Sequence, residues 1–134
     1  MSVEFVDNSD AVLDKLQASK RRGLLRCGLT GDGYAKDLCA VDTGLLRNST
    51  THALSGEAPA ITTYRSDDGS TSGSYSGVAP DDGELSVYIG TNVNYGPNVE
   101  LGTTKQKAQP FLKPAVANHA QTYKNIMEDE LKNA

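Results

Sequence analysis

The chain has 134 residues and a mass of 14.2 kDa, which is enough for one domain and one core. Its net charge of -4 and pI near 5.1 have the wrong sign for a protein that grips nucleic acid through phosphates. Apolar runs no longer than Leu38-Cys39-Ala40-Val41 fall far short of a membrane span of roughly 20 residues.

Met1 to Asp7 shows no basic stretch followed by an apolar one, so no secretory signal is expected. Two cysteines, Cys27 and Cys39, are too few for a disulfide scaffold and point to a reducing compartment. The 13 glycines and the 37% share of apolar residues predict long polar connections around a modest core.

Residues 9–41 read as one long helix, with Asp7, Asn8, Ser9 and Asp10 offering oxygens to the free first-turn amides. A stripe runs through Leu13, Leu16, Lys20, Leu24, Cys27, Gly31, Tyr34, Leu38 and Val41 at helical spacing, with Lys20 and Gly31 as its exceptions. Gly23, Gly28, Gly31 and Gly33 lower helix propensity; they predict either a break or the close approach of another segment.

A sheet is predicted over 45–90. The Thr-rich segment 45–54 supplies the first strand, 60–64 the second and 84–90 the third, with Leu85, Val87 and Ile89 on one face. Short links predict an antiparallel meander of three strands. Residues 66–83 read as a long polar loop with Asp67, Asp68, Asp81 and Asp82 and no base. A connector over 91–110 contains a helical turn at 95–103. Residues 111–132 then read as one amphipathic helix, from Leu112, Val116, Ala120, Tyr123, Met127 and Leu131. The expected fold is α+β, with both helices packed on the three-stranded sheet.

Chemical motifs are sparse. Cys27 and Cys39 lie twelve apart and far from His52 and His119, unlike the tight ligand pairs of a zinc site. Cys27 is expected in the core and Cys39 half-buried off the stripe. Asp42, Ser49 and His52 form a conceivable nucleophilic trio without a nucleophile elbow, and His52 fits better as a hydrogen-bonded strand residue. Gly28 to Lys36 fails the phosphate-loop pattern because its lysine comes late and no strand precedes it. No cofactor, metal or catalytic residue is expected. The basic cluster Lys20, Arg21, Arg22 and Arg26 and the acidic 66–84 segment predict contacts between copies. Tyr75, Lys105 and Lys107 join Lys20, Arg21, Arg22, Asp67, Asp68, Asp81 and Asp82 as candidate interface residues.

Two segments carry more. One is Ala35-Lys36 followed by Val41-Asp42-Thr43-Gly44-Leu45-Leu46-Arg47-Asn48-Ser49. The other runs from Ile89-Gly90-Thr91 through Tyr95, Val99-Glu100-Leu101-Gly102-Thr103, to Ala108-Gln109-Pro110-Phe111-Leu112-Lys113-Pro114-Ala115. In order and spacing they resemble a family of proteins from long-tailed bacteriophages and prophages, described as neck or tail components. The resemblance spans roughly residues 25 to 134. Ala40 stands where the family often has proline, Gly96 where it has alanine, and the 66–83 loop is longer than in many members.

The resemblance implies a structural protein of head–tail joining and tail completion, forming a ring in the virion neck after synthesis in the bacterial cytoplasm. Its implied partners are copies of itself and neighbouring neck or tail proteins, with DNA passing through the channel but not read by sequence. A tail-tube terminator or minor tail protein is the alternative of the same class; a small cytoplasmic binding module is that of another class. Asp42, Gly44, Arg47, Tyr95, Glu100, Gly102, Pro110 and Phe111 are expected to specify the fold. In particular, Arg47 is expected to bond Asp42 or Glu100. Tyr95, Val99, Phe111 and Leu112 are expected to close the core, and Gly44, Gly90 and Gly102 to need positive φ.

Overall fold

A computed structural model describes residues 3–4, 6–41, 44–56, 61–76 and 85–133. Its elements, in chain order, are α1 (Ser9–Leu38), α2 (Leu45–Ser49), β1 (Thr51–Leu54), β2 (Ile61–Arg65), β3 (Ser72–Ser76), β4 (Val87–Gly90), α3 (Gly96–Leu101), α4 (Leu112–Ala117) and α5 (Ala120–Lys132). The class is α+β, with long helical segments at both ends and small antiparallel sheets between them.

α1 is a single helix of 30 residues despite its glycines. Its buried face meets the predicted stripe at Cys27 and Gly31, and Leu16, Lys20, Leu24 and Tyr34 of that stripe are half-buried at its edge. The face is Ser19, Gly23, Cys27, Gly31 and Ala35, four apart, continued by Cys39 beyond the helix. Leu13, Leu25, Leu29, Leu38 and Val41 are exposed. Small side chains win this face because neighbours come very close. A Cβ at Gly23 would stand 2.5 Å from the Met127 sulfur, and one at Gly28 2.6 Å from Val87. An i, i+4 row drifts around a helix by roughly 40° per step. The small-residue row therefore meets α5 first, then β4, then the cluster around Phe111.

Three expectations about the middle of the chain are corrected. Residues 45–49 are helical, not strand. Leu45, Leu46 and Ser49 are buried at helical spacing, and Gly44, at φ 88°, turns the chain into α2. The strands form two two-stranded sheets, not one of three. β1 pairs with β4 (His52 opposite Ile89), and β2 pairs with β3 (Thr63 opposite Ser74). β3 lies inside the segment expected to be loop. Its partnership with β2 depends on the turn 66–71 rather than on apolar alternation, which Ser72-Gly73-Ser74-Tyr75-Ser76 lacks. In that turn the Asp68 carboxylate accepts from the Ser66 hydroxyl and from both the amide and the hydroxyl of Ser70.

The C-terminal helix is broken at Asn118 and His119. Asparagine is a weak helix former, and the break is held by its surroundings. His119 stacks on Tyr34 with ring centroids 3.6 Å apart, and the Tyr123 hydroxyl donates to the Ala115 carbonyl at 2.5 Å. α5 then lies along α1, where Arg22 reaches Glu130 at 3.3 Å and Arg26 reaches Asp129 and Glu130 at 3.0 Å. The main core cluster is Ala35, Cys39, Leu46, Val93, Phe111 and Ala115. Cys39, expected to be half-buried, is thus a core residue. So is Cys27, as expected.

Candidate functional site

The two motif segments lie apart in sequence but meet in space. Leu46 of α2 packs with Val93, Phe111 and Ala115. The Ser49 and Thr91 hydroxyls share a hydrogen bond of 2.7 Å, and the Thr91 hydroxyl also accepts from the Val93 amide. Behind this junction the connector folds back over α3. The Gln109 amide donates to the Val99 carbonyl at 2.8 Å, and the Thr103 amide to the Gln106 carbonyl at 2.8 Å.

Glu100 organises the return. Its Oε2 accepts the amides of Phe111 (2.7 Å) and Leu112 (3.0 Å), and its Oε1 that of Lys113 (2.9 Å). One carboxylate from α3 thereby satisfies first-turn amides of α4 that no helical carbonyl can reach. Burial pushes the Glu100 pKa up, but the three amides and Lys113 outweigh it and hold it below its ordinary 4.5. Because the folded value is depressed, the stabilisation is present above about 4.5 and is lost as pH falls through the folded value. Asp67 and Asp68 shift the same way. Asp68 falls to about 2 through its Ser70 and Ser66 hydrogen bonds. The urea midpoint is therefore expected to drop between pH 5 and pH 3. The Glu100→Gln variant should lose about 1 kcal/mol at neutral pH and show a shallower acid decline. An unchanged acid profile in that variant would remove Glu100 from this role.

Arg47 does not bond Glu100; its partner is Asp67, whose two oxygens both lie 2.7 Å from Nη2. Asn48 adds bonds to Asp67 and to the Arg65 carbonyl, so α2 is tied to the β2–β3 hairpin. Glu100 is already taken by α4. Asp42, the other expected partner, lies outside the described residues, as do Asp81, Asp82 and the side chain of Tyr75. Gly44 and Gly102 have positive φ as expected, whereas Gly90 ends β4 without it. Tyr95 is 41% exposed and lines a surface groove instead of closing the core. Val99, Phe111 and Leu112 do close it. Pro110 stands just ahead of Phe111, the N-cap of α4.

That groove measures about 670 Å³. Val41, Leu45, Leu46, Tyr95 and Val99 line it together with the connector glutamines Gln106 and Gln109. The connector also carries Lys105 and Lys107, both exposed and outside every ion pair found among the described residues. The basic cluster of α1 is different. Arg22 and Arg26 face the acids of α5, while Lys20 is half-buried and Arg21 is exposed.

Of the conceivable trio Asp42, Ser49 and His52, Asp42 lies outside the described residues, and the other two are engaged elsewhere. Ser49 is buried, and its hydroxyl is engaged with Thr91 and the Leu46 carbonyl. His52 Nδ1 lies 3.0 Å from the buried Asp32 carboxylate, which also has Lys36 Nζ at 3.4 Å. Asp32 carries no signal in the sequence beyond its i, i+4 spacing to Lys36, because its partner His52 stands on β1, twenty residues away. Burial raises the thiol pKa of both Cys27 and Cys39, which makes them poor nucleophiles. Among the described residues, no group of three or more His, Cys, Asp or Glu is placed to hold a metal ion, and no helix is long and apolar enough to cross a membrane.

No known protein-family model, curated protein or solved structure matches this chain.

Proposed function

We propose that the chain is a structural subunit of the neck of a long-tailed bacteriophage or prophage. In this reading it acts in head–tail joining and tail completion as a component of a ring. The observation that carries the reading is the meeting of the two motif segments. The residues that resemble the phage family are the same ones that build one end of this molecule. Leu46, Ser49, Thr91, Val93, Glu100 and Phe111 interlock through core packing, a shared hydroxyl pair and a capping carboxylate. The motif glycines add to this, since Gly44 and Gly102 both occupy conformations that other residues avoid.

A ring subunit needs a rigid body and surfaces for its neighbours, and heterologous contacts close into rings when the rotation allows. The net negative charge suits a channel through which DNA moves without sticking. The test is genetic and visual. The gene is removed from the phage or prophage that carries it, and the particles are examined by electron microscopy. Filled heads and separate tails are expected, with joining restored by the purified protein. Normal tailed particles would end this reading. Joined particles with tails of irregular length would move the assignment to the tail-tube terminator.

A further inference from the structure

Leu112, Val116, Ala120, Tyr123, Met127 and Leu131 keep helical spacing straight through residues 118–119, with neither glycine nor proline between Ala115 and Lys132. Local preference therefore favours one helix from Leu112 to Lys132. The break is held against it by groups distant in the chain or folded back on it. His119 stacks on Tyr34, and the Tyr123 hydroxyl donates to the Ala115 carbonyl. α5 starts at His119 without a side-chain cap. In a continuous helix the carbonyls of 115–118 would serve its first-turn amides. A segment whose local and tertiary preferences conflict in this way has two conformations within reach.

α5 is also lightly held. Each of its residues is half-buried or exposed. Its ion pairs to α1 stand in solvent, with Arg22 53% and Arg26 47% exposed, where such pairs contribute little. Its seat, in contrast, is closely shaped: Met127 lies over Gly23, and the Tyr123 hydroxyl over Gly31. If 112–132 straighten, α4 stays anchored by the fully buried Ala115, while the 13 residues of α5 leave α1 and project by roughly 20 Å. The segment that fits the vacated seat is the α5 of another copy.

We infer that α5 exchanges between copies of this chain, with residues 118–119 as the hinge and each α5 lying on the α1 of a second copy. The contacts made are those already present within one chain: Arg22 with Glu130, Arg26 with Asp129 and Glu130, and Met127 on Gly23. Exchange therefore costs only what the hinge loses, which is why swapped elements are an inexpensive route to assembly. Reciprocal exchange closes a dimer, and passage of each α5 to the next copy gives a ring. The inference goes beyond the neck reading and does not depend on it.

The test uses the full chain. A Cβ at residue 23 would stand 3.6 Å from that of Glu130, inside the disulfide range of roughly 3.5 to 4.5 Å. Gly23→Cys and Glu130→Cys are combined, with Cys27→Ser so that no native thiol lies one turn away. The protein is purified reduced, mildly oxidised and run on a denaturing gel without reductant. Covalent dimers or a ladder are expected, because the two cysteines of each bond belong to different copies. The hinge is read separately, by light scattering behind size exclusion at fixed concentrations. Asn118→Ala with His119→Ala and Asn118→Gly with His119→Gly both remove the Tyr34 stack, but only the first pair favours the straight helix. The ratio of oligomer to monomer should be higher in the alanine pair by roughly tenfold or more.

Oxidation to a covalent monomer alone would overturn the inference, because α5 would then lie on its own α1. Equal ratios in the alanine and glycine pairs, or monomers in both at every concentration, would also overturn it. None of these results decides the neck reading, which stands or falls on the particles formed without the gene.

Discussion

Truncating Phe111 to alanine is expected to destabilise the protein by about 3 to 5 kcal/mol, the usual cost of removing a buried aromatic side chain. Phe111 is fully buried and is the largest such side chain among the described residues. Its neighbours Ala35, Cys39 and Ala115 are small and lie on or just beyond helices, so they cannot collapse far into the space it would leave. Domains of this size are commonly stable by about 5 to 15 kcal/mol, so the variant would lose a large fraction of its margin. Urea unfolding followed by circular dichroism measures this directly. Phe111→Leu, which keeps most of the volume, is expected to lose less than about 2 kcal/mol. A loss below about 1 kcal/mol for the alanine variant would mean that the cluster around Phe111 is not the centre of the core.

The second large effect is expected at Gly102, which ends α3 at φ 77° and ψ 172°. That extended conformation with positive φ is essentially confined to glycine. A Cβ there would also stand 2.7 Å from the Ala108 amide nitrogen, and backbone cannot swing aside as a side-chain tip can. The Gly102→Ala variant is expected to lose about 3 kcal/mol, combining dihedral strain with displacement of the connector. Gly69→Ala is the internal comparison. Gly69 also has positive φ, at 74°, but nothing lies within 4 Å of its would-be Cβ. Its substitution should carry the conformational cost alone, about 1 kcal/mol. Equal losses at the two sites would show that the connector yields without resistance, and the packing of 103–109 over α3 would then contribute little.

Several elements were legible because their cause is local. The extent of α1, the strands near 61–65 and 87–90 and the short helix at 96–101 follow from spacing, β-branched content and the placing of Pro97 and Gly102. The α2 segment reads as strand although Leu45, Leu46 and Ser49 carry helical spacing, because a threonine-rich stretch continues it. Part of the candidate site was legible as two motif segments. Their convergence, the groove they border and the three amides held by Glu100 were not, since these depend on residues far apart in the chain.

The sequence by itself determined that the chain would be α+β, that helical segments would occupy both ends, and that Gly44 and Gly102 would turn the backbone where few other residues can. These follow from backbone preference and periodicity, which act over a few residues. Only the tertiary structure decided which face of α1 is buried, which strands pair and where the final helix breaks. The same is true of the ionic partner of Arg47. Each is a competition among distant groups, settled by close fit. Met127, Val87 and His52 come so near to α1 that glycine outranks leucine along its buried face. Asp67 reaches Arg47 only because the β2–β3 hairpin brings it there.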